Sequence, residues 1–424
     1  MEPSRRGWAL WVFAVAVGGC PSTTAGSAAG DAGDAAGPPG DAPLQGPCRW
    51  SVGEAVVLEA PGSPSTHRAL LDLQPAEGGA WALFSDDAGG ARQPDTVLER
   101  LTPSGRRREG GVVRFPSGFA PEAASLAVDE TYRRYAVLAE AGGTGMERCS
   151  LALLDSQGRP SAPRSVTLPA GGFSLAGCRY LQGGAQGFTF LSEQVRALWG
   201  VSMVQLDPAG STPSQRAPTV FEGYPPVSYA RFPLPDRAFA LLWSEPAMGS
   251  ASLHRLLLRL FNADGDARAE RVELRGNGLT LRRPSVVSLP PGMVALWEEA
   301  DADPPRSFRI VLRTVDAAGL PGASRALSEA RAGGSSDLLT AVTAGGELLA
   351  GYVTGSGVLS PRVLPLGPDG GGMAGALPLP LPAGATRVEA LRLSPTQTGA
   401  LAVFTTDPGA FPNRAVAVPL TCGR

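Results

Sequence analysis

ASLAVDETYRRYAVLAEAGGTGMERCSLALLDSQGRPSAPRSVTLPA, residues 124–170, holds four short runs, ASLAVD, YAVLAE, CSLALLD and RSVTLPA, parted by segments bearing Gly, Pro, Asp and Ser. Runs this short with such punctuation read as strands, since helices need longer periodic segments. The same arrangement then returns along the chain. Glycine-ended turns follow each third run, LTPSG at Gly105, LLDSQG at Gly158, QLDPAG at Gly210, LFNADG at Gly265, TVDAAG at Gly319, PLGPDG at Gly370 and PLTCG at Gly423, spaced by 53, 52, 55, 54, 51 and 53 residues. An independent marker, the end of the second run, falls at Phe84, Leu138, Leu191, Trp243, Trp297, Tyr352 and Phe404, spaced by 54, 53, 52, 54, 55 and 52. Two markers holding one period through seven copies define an internal repeat that fills positions 48–424.

The second run of each unit is apolar at successive positions, as in a strand covered on both faces of its sheet, while the others alternate more. LHRLLLRLF, residues 253–261, places Leu253, Leu256, Leu257 and Leu260 at helical spacing, but its repeat mates CSLALLD and FRIVLRTVD do not. Alignment therefore assigns it to a strand.

Seven four-stranded units without crossover helices resemble a seven-bladed β-propeller, an all-β ring whose blades stack face to face. The WD dipeptide, the kelch double glycine and the Ser-x-Asp-x-Gly-x-x-Trp box are missing, so the likeness is to the architecture and to no named repeat family. GEAVVLEAPG, residues 53–62, matches the fourth runs RSVTLPAGG and GALPLPLPAG but precedes the first complete unit, and the last unit stops after RAVAVPL. The resemblance thus implies that the N-terminal strand completes the seventh blade. In that alignment Cys48 and Cys422 fall in the same third-to-fourth strand turn, which predicts a disulfide in place of the covalent turn of the other blades. With Cys20 set aside, Cys149 and Cys178 follow by elimination as the second of two pairs among four cysteines, an even number suited to an oxidising compartment.

A chain of 424 residues that is 43% apolar can bury a large core, and 55 Gly with 40 Pro call for many turns. Charged residues are 18%, net charge is -2 and no basic stripe occurs, which argues against nucleic acid as a partner. All 37 basic residues are Arg, so phosphate loops and Schiff-base chemistry that need lysine are excluded.

The first residues combine a positive MEPSRR with an apolar run, Trp8 to Val17, too short to span a bilayer, the pattern of an export signal. The run ends in Val17-Gly18-Gly19-Cys20, which resembles the lipobox of bacterial lipoproteins. That resemblance implies a signal peptide over 1–20, lipidation of Cys20 and, because Pro21 and not Asp follows the cysteine, outer-membrane sorting. Residues 21–47, rich in Ala, Gly, Ser, Pro and Asp, hold too few apolar side chains to offset ordering entropy and read as a disordered tether.

LFNADGD, residues 260–266, offers Asn262, Asp264 and Asp266 on alternate places, yet its siblings LDSQG, LDPAG and VDAAG make it a hairpin turn. A calcium loop would also place its glycine at the sixth position, whereas here Gly265 stands one place past Asp264. His67 and His254 belong to different units with no Cys or carboxylate at ligand spacing, so no metal or other cofactor is expected. GGFSLAG lacks the second glycine of a nucleophile elbow. Phe84, Trp243, Trp297, Tyr352 and Phe404 recur with the unit and read as inter-blade packing. Two residues past the second-strand marker stand Asp86, Glu140, Glu193, Glu245 and Glu299, with Thr354 and Thr406 in the last two units and Asp407 beside the latter. These acids are the candidate binding residues, a broken negative ring on one propeller face that steers a cationic or Arg-rich ligand, against the alternative that each caps its own loop. The expected function is that of a lipid-anchored envelope binding or scaffolding module for a protein or glycan, and not of an enzyme. The competing expectation is a propeller hydrolase or lyase acting on envelope carbohydrate or a small ester.

Overall fold

The computed structural model describes residues 48–423 apart from short segments between strands, the longest being 167–173, 212–218 and 368–374. The export signal, Cys20, the tether and the Gly370 turn lie outside the described residues. Among the described residues every element is a β-strand or an isolated bridge. They form seven separate antiparallel sheets, so the chain is a seven-bladed β-propeller.

Blade 1 comprises His67–Ala76, Gly79–Asp87, Asp95–Leu101 and Arg107–Arg114; blade 2 comprises Ala123–Asp129, Arg134–Ala141, Arg148–Leu153 and Arg164–Ser165. Blade 3 is built from Ser174–Gly184, Gly187–Val195, Trp199–Leu206 and Thr219–Gly223, and blade 4 from Ser228–Pro233, Phe239–Pro246, Leu253–Phe261 and Val272–Leu279. In blade 5, Leu281–Leu289, Gly292–Ala300, Ser307–Val315 and Pro321–Ala326 are joined by the short Arg331–Ala332, and blade 6 contains Thr340–Ala344, Glu347–Thr354, Ser360–Leu366 and Leu377–Pro378. Blade 7 takes Arg387–Thr396, Gly399–Asp407 and Arg414–Gly423 from the end of the chain. Its outer edge is Arg49–Val52 and Val56–Leu58, both antiparallel to Arg414–Gly423, with Trp50 opposite Cys422 and Leu58 opposite Ala415. The N-terminal strand therefore closes the ring. LHRLLLRLF is the third strand of blade 4, as alignment with its mates required.

Seven apolar clusters lie between the blades, one at each junction, including that of blade 7 with blade 1. The unbroken apolar second strands follow from this arrangement. In blade 1, Trp81 and Leu83 pack toward blade 2 while Ala80, Ala82 and Phe84 pack toward blade 7. Trp243, Trp297, Tyr352 and Phe404 are likewise buried in inter-blade clusters, where each large side chain contributes roughly 1.5–3 kcal/mol.

The recurrent turn is an Asx turn. Asn262 Oδ1 accepts the N–H groups of Asp264 at 3.0 Å and Asp266 at 2.8 Å, and the Gly265 N–H donates to the Asn262 carbonyl at 3.2 Å. Asp155, Asp207 and Asp316 use their carboxylates in the same way. Gly158 closes its turn at φ 80°, and a Cβ there would stand 2.8 Å from Leu98 Cδ2 of the preceding blade. Gly346, at φ 78°, has open space around it. Ala at Gly346 should thus cost about 1 kcal/mol of conformational strain, and Ala at Gly158 clearly more, because strain and clash add. Urea unfolding of both variants checks this order; equal costs would remove the packing component.

The first strands ring the axis without pairing to one another, and side chains bridge them instead. Asp72 accepts Leu126 N–H at 2.8 Å, Ser125 accepts Tyr180 N–H at 2.9 Å and Thr340 accepts Leu393 N–H at 3.4 Å, each bond running from one blade to the next. Bulges in these strands, at Leu70/Asp72, Leu175/Gly177, Arg179/Gln182, Arg282/Ser285 and Val388/Ala390, interrupt the ladder within each blade.

Cys48 is bonded to Cys422, with Cα atoms 5.1 Å apart, and Cys149 of blade 2 to Cys178 of blade 3, with Cα atoms 6.0 Å apart. Both expected pairs are present, and together they place the protein in an oxidising, non-cytoplasmic compartment. Among the described residues no helix is long and apolar enough to cross a membrane. The closing segment is also held from blade 6, where Glu347 accepts Cys48 N–H and Trp50 Nε1–H at 2.6 Å each.

Candidate functional site

The acids singled out by their repeat position sit at the ends of the second strands, and the structure surrounds them with arginines. Asp86 accepts Arg68 Nε at 2.7 Å and Nη2 at 2.8 Å. Glu245 accepts Arg255 Nε at 2.7 Å and Trp243 Nε1 at 3.1 Å. Glu299 takes Arg275 Nε at 3.1 Å and has Arg309 at 3.7 Å, while Glu193 accepts the Tyr229 hydroxyl and has Arg179 Nε at 3.5 Å. These four carboxylates are buried, and each has an arginine within ion-pair distance. Glu140 is half-buried; it and Glu193 converge on Gly177, each within 3.5 Å of where a Cβ there would stand. Asp407 is half-buried at the end of blade 7, where its carbonyl accepts Thr386 N–H at 3.1 Å. The arginine partners escaped sequence reading because they come from first, third and fourth strands. Only Arg255 and Arg309 share a register, opposite Glu245 and Glu299 in their third strands, and that repeat was the available signal.

A second constellation lies on the axis. The first strands of blades 1, 2 and 3, with Arg231 of blade 4 and Arg392 of blade 7, line a cavity of about 870 Å³. Asp72 lies on its wall and accepts Leu73 N–H and Leu126 N–H at 2.8 Å. Burial raises its carboxyl above the ordinary aspartate range, against the lowering effects of Leu126 N–H and the Arg392 charge. A folded-state value above the unfolded one means the folded protein holds this proton more tightly. The stabilisation is complete below the unfolded value and is lost as pH rises through the folded one. Asp72→Asn, a permanently neutral stand-in, should therefore gain on wild type between about pH 4 and pH 7. Urea unfolding at the two pH values measures it, and a constant gap would refute it.

Arg231 is buried, at 6% exposure. Its Nη1 donates to the carbonyls of Tyr180 at 3.1 Å and Thr189 at 3.4 Å, and its Nη2 to Gln182 Oε1 and Thr189 Oγ1 at 2.9 Å each. Its guanidinium carbon lies 4.5 Å from the Phe239 ring centroid. All of these partners are neutral, so burial pushes the group down to about 9, which leaves it cationic at neutral pH. Tyr180, whose carbonyl and N–H hold this wall together, has φ 61° in the first-strand bulge, and its ring meets that of Tyr229 edge-on at 5.7 Å. Burial, then the Glu193 charge, drive the Tyr229 hydroxyl well above the ordinary tyrosine range. This axial group was not legible in the repeat, since Arg231, Gln182 and Thr189 occupy different places in their units.

His67 Nε2 lies 3.0 Å from Asn413 Nδ2, and the imidazole of His254 is lowered by burial. Among the described residues no group of three or more His, Cys, Asp or Glu could hold a metal ion.

No family model and no curated protein matches the chain. Solved structures do. A puromycin-hydrolysing peptidase of Mycobacterium tuberculosis aligns with TM-score 0.55 at 17% identity over 82% of this chain and 50% of that one. The β-propeller domain of the Trilobed protease from Pyrococcus furiosus aligns with TM-score 0.48 at 8% identity, over 83% of this chain and 93% of that one. An α-L-arabinanase from Penicillium chrysogenum aligns with TM-score 0.46 at 12% identity, over 87% and 98%. This chain spans half the length of the mycobacterial peptidase, and at such identities the likeness is one of fold.

Proposed function

We propose that the chain is an exported, lipid-anchored binding module of the bacterial envelope, whose protein or glycan ligand enters the axial cavity between blades 1, 2 and 3. One observation carries the reading: three consecutive first strands, cross-linked by side chains, present a cavity of about 870 Å³ walled by Gln74, Gln182, Asp72, Arg231 and Arg392. Concave sites with a few placed polar groups are where propellers and other scaffolds take ligands. The Arg–carboxylate rim then serves to hold the cavity walls, with Glu140 and Asp407 as further contacts for a partner.

A photo-crosslinking residue at Gln182, in intact cells, should label a ligand that the same residue at exposed Ser324 on a fourth strand does not. Equal labelling at both sites, or none at Gln182, refutes an axial ligand. The competing reading, a hydrolase or lyase, rests on the activities of structurally similar proteins; turnover of a glycan or ester library by purified protein would favour it. Anchoring is tested separately. Cys20→Ala should move the protein from the membrane fraction to the soluble one, and unchanged fractionation would sink the lipid anchor.

A further inference from the structure

Arg231 differs from Arg68, which is buried to a similar degree. The other buried arginine, Arg68, is met by two carboxylates, whereas Arg231 has four neutral oxygens and, among the described residues, no carboxylate in ion-pair range. Its Nε–H is buried with no acceptor. A buried cation without a counter-charge is costly, and such groups persist where something else compensates them. The surroundings hold it in place all the same. Tyr180 adopts a left-handed backbone that turns its carbonyl onto Arg231, and strained residues of this kind cluster at ligand sites.

The acids near the cavity are already engaged. Glu130 accepts the Tyr135 hydroxyl at 2.6 Å, Asp129 accepts Tyr132 N–H at 3.1 Å, and Asp72 takes two backbone N–H groups beside the Arg392 charge. Of the three arginines on the wall, Arg179 has Glu193 at 3.5 Å and Arg392 lies in the field of Asp72, whereas Arg231 has, among the described residues, only neutral hydrogen-bond partners. Of its neutral partners, Gln182 and Thr189 are side chains, and Gln182 itself lines the cavity. Rotation of the Gln182 amide would free one Nη2 N–H toward the lumen.

We infer that the axial cavity is an anion site, and that Arg231 receives a carboxylate of a small or chain-terminal ligand there. This deepens the binding-module reading and rests on it. A carboxylate would accept a charge-assisted hydrogen bond from the freed Nη2 N–H and would supply the missing counter-charge. It can come from a uronic acid or from a peptide C-terminus.

The test is calorimetric titration of the disulfide-intact protein with two matched pairs at fixed ionic strength: glucuronate against glucose, and acetyl-alanine against acetyl-alaninamide. In at least one pair the carboxylate should bind roughly tenfold or more tighter than its neutral partner, as expected of a charge-assisted bond. The pair that discriminates identifies the source. Arg231→Gln should erase the difference, and Arg231→Lys should keep part of it. Equal binding of charged and neutral partners overturns the anion site while leaving an axial ligand standing. A carboxylate preference that survives in Arg231→Gln overturns the role of Arg231. No binding in any arm, with axial crosslinking intact, also refutes the anion site. Should Arg231→Gln fail to fold, Arg231→Lys takes its place, and a carboxylate preference left unchanged in that variant overturns the role of Arg231.

Discussion

Arg68→Ala will lower the unfolding free energy by about 3–5 kcal/mol, the range for a buried ion pair that loses one partner. Arg68 is 1% exposed and Glu99 0%, so neither charge can turn to water. Its guanidinium makes a two-bond clasp on Asp86, a 2.8 Å bond to Glu99 Oε1 and a 3.2 Å bond to the Leu58 carbonyl in the closing strand. The alanine variant would strip Asp86 of its clasp, remove the contact over Phe84 and release the closing strand from blade 1. Glu99 would keep Arg107 at 2.7 Å. Arg107→Ala should therefore cost much less, because that side chain is partly exposed and Glu99 retains Arg68. Replacing Arg68, Asp86 and Glu99 together with apolar residues of similar size should recover most of the loss. Chemical denaturation of the single and triple variants measures all of this; an Arg68→Ala cost below about 1 kcal/mol would mean that the network is not what secures this junction.

The second large effect is expected at the seam. Removing Cys48 and Cys422 together as serines should cost about 2–5 kcal/mol. The two disulfides differ greatly in span, 374 residues against 29. In the chain-entropy description the longer loop contributes about 2 kcal/mol more, so the Cys48/Cys422 double variant should be the less stable of the two. Thermal and denaturant midpoints of both double variants decide it. The reverse order would show that the closing strand is secured mainly by its hydrogen bonds and by Glu347.

The fold was legible because its cause is periodic. Each blade must cover the next with a strand apolar on both faces, and the third strands of blades 2 to 5 turn back through an Asx-glycine turn, so both markers recur along the chain. Closure was legible for the same reason, since a fourth-strand pattern without its blade had to pair with a blade without its fourth strand. The polar sites obey no such period. Asp86, Glu193, Glu245 and Glu299 share a place in the repeat, but their arginines arrive from whichever strand has room, and charge balance across a junction leaves no one-dimensional pattern. Arg231 was less visible still. What sets it apart is that, among the described residues, all its hydrogen-bond partners are neutral, which only three-dimensional proximity can reveal.

The position of the first disulfide also bears on how the ring carries load. Tension arriving along the chain from the N-terminal side reaches Cys48 before any residue of the closing strand, and Cys48 is bonded to Cys422 on the neighbouring strand. The force passes across a covalent bond into the third strand of blade 7, which is paired along its length with Gly399–Asp407. The short ladder from Arg49 to Leu58 lies beyond the bond and is shielded from that pull. Reduction of this one bond would turn the seam into a zipper opened from its end, so the redox state of the compartment sets the mechanical strength of the ring.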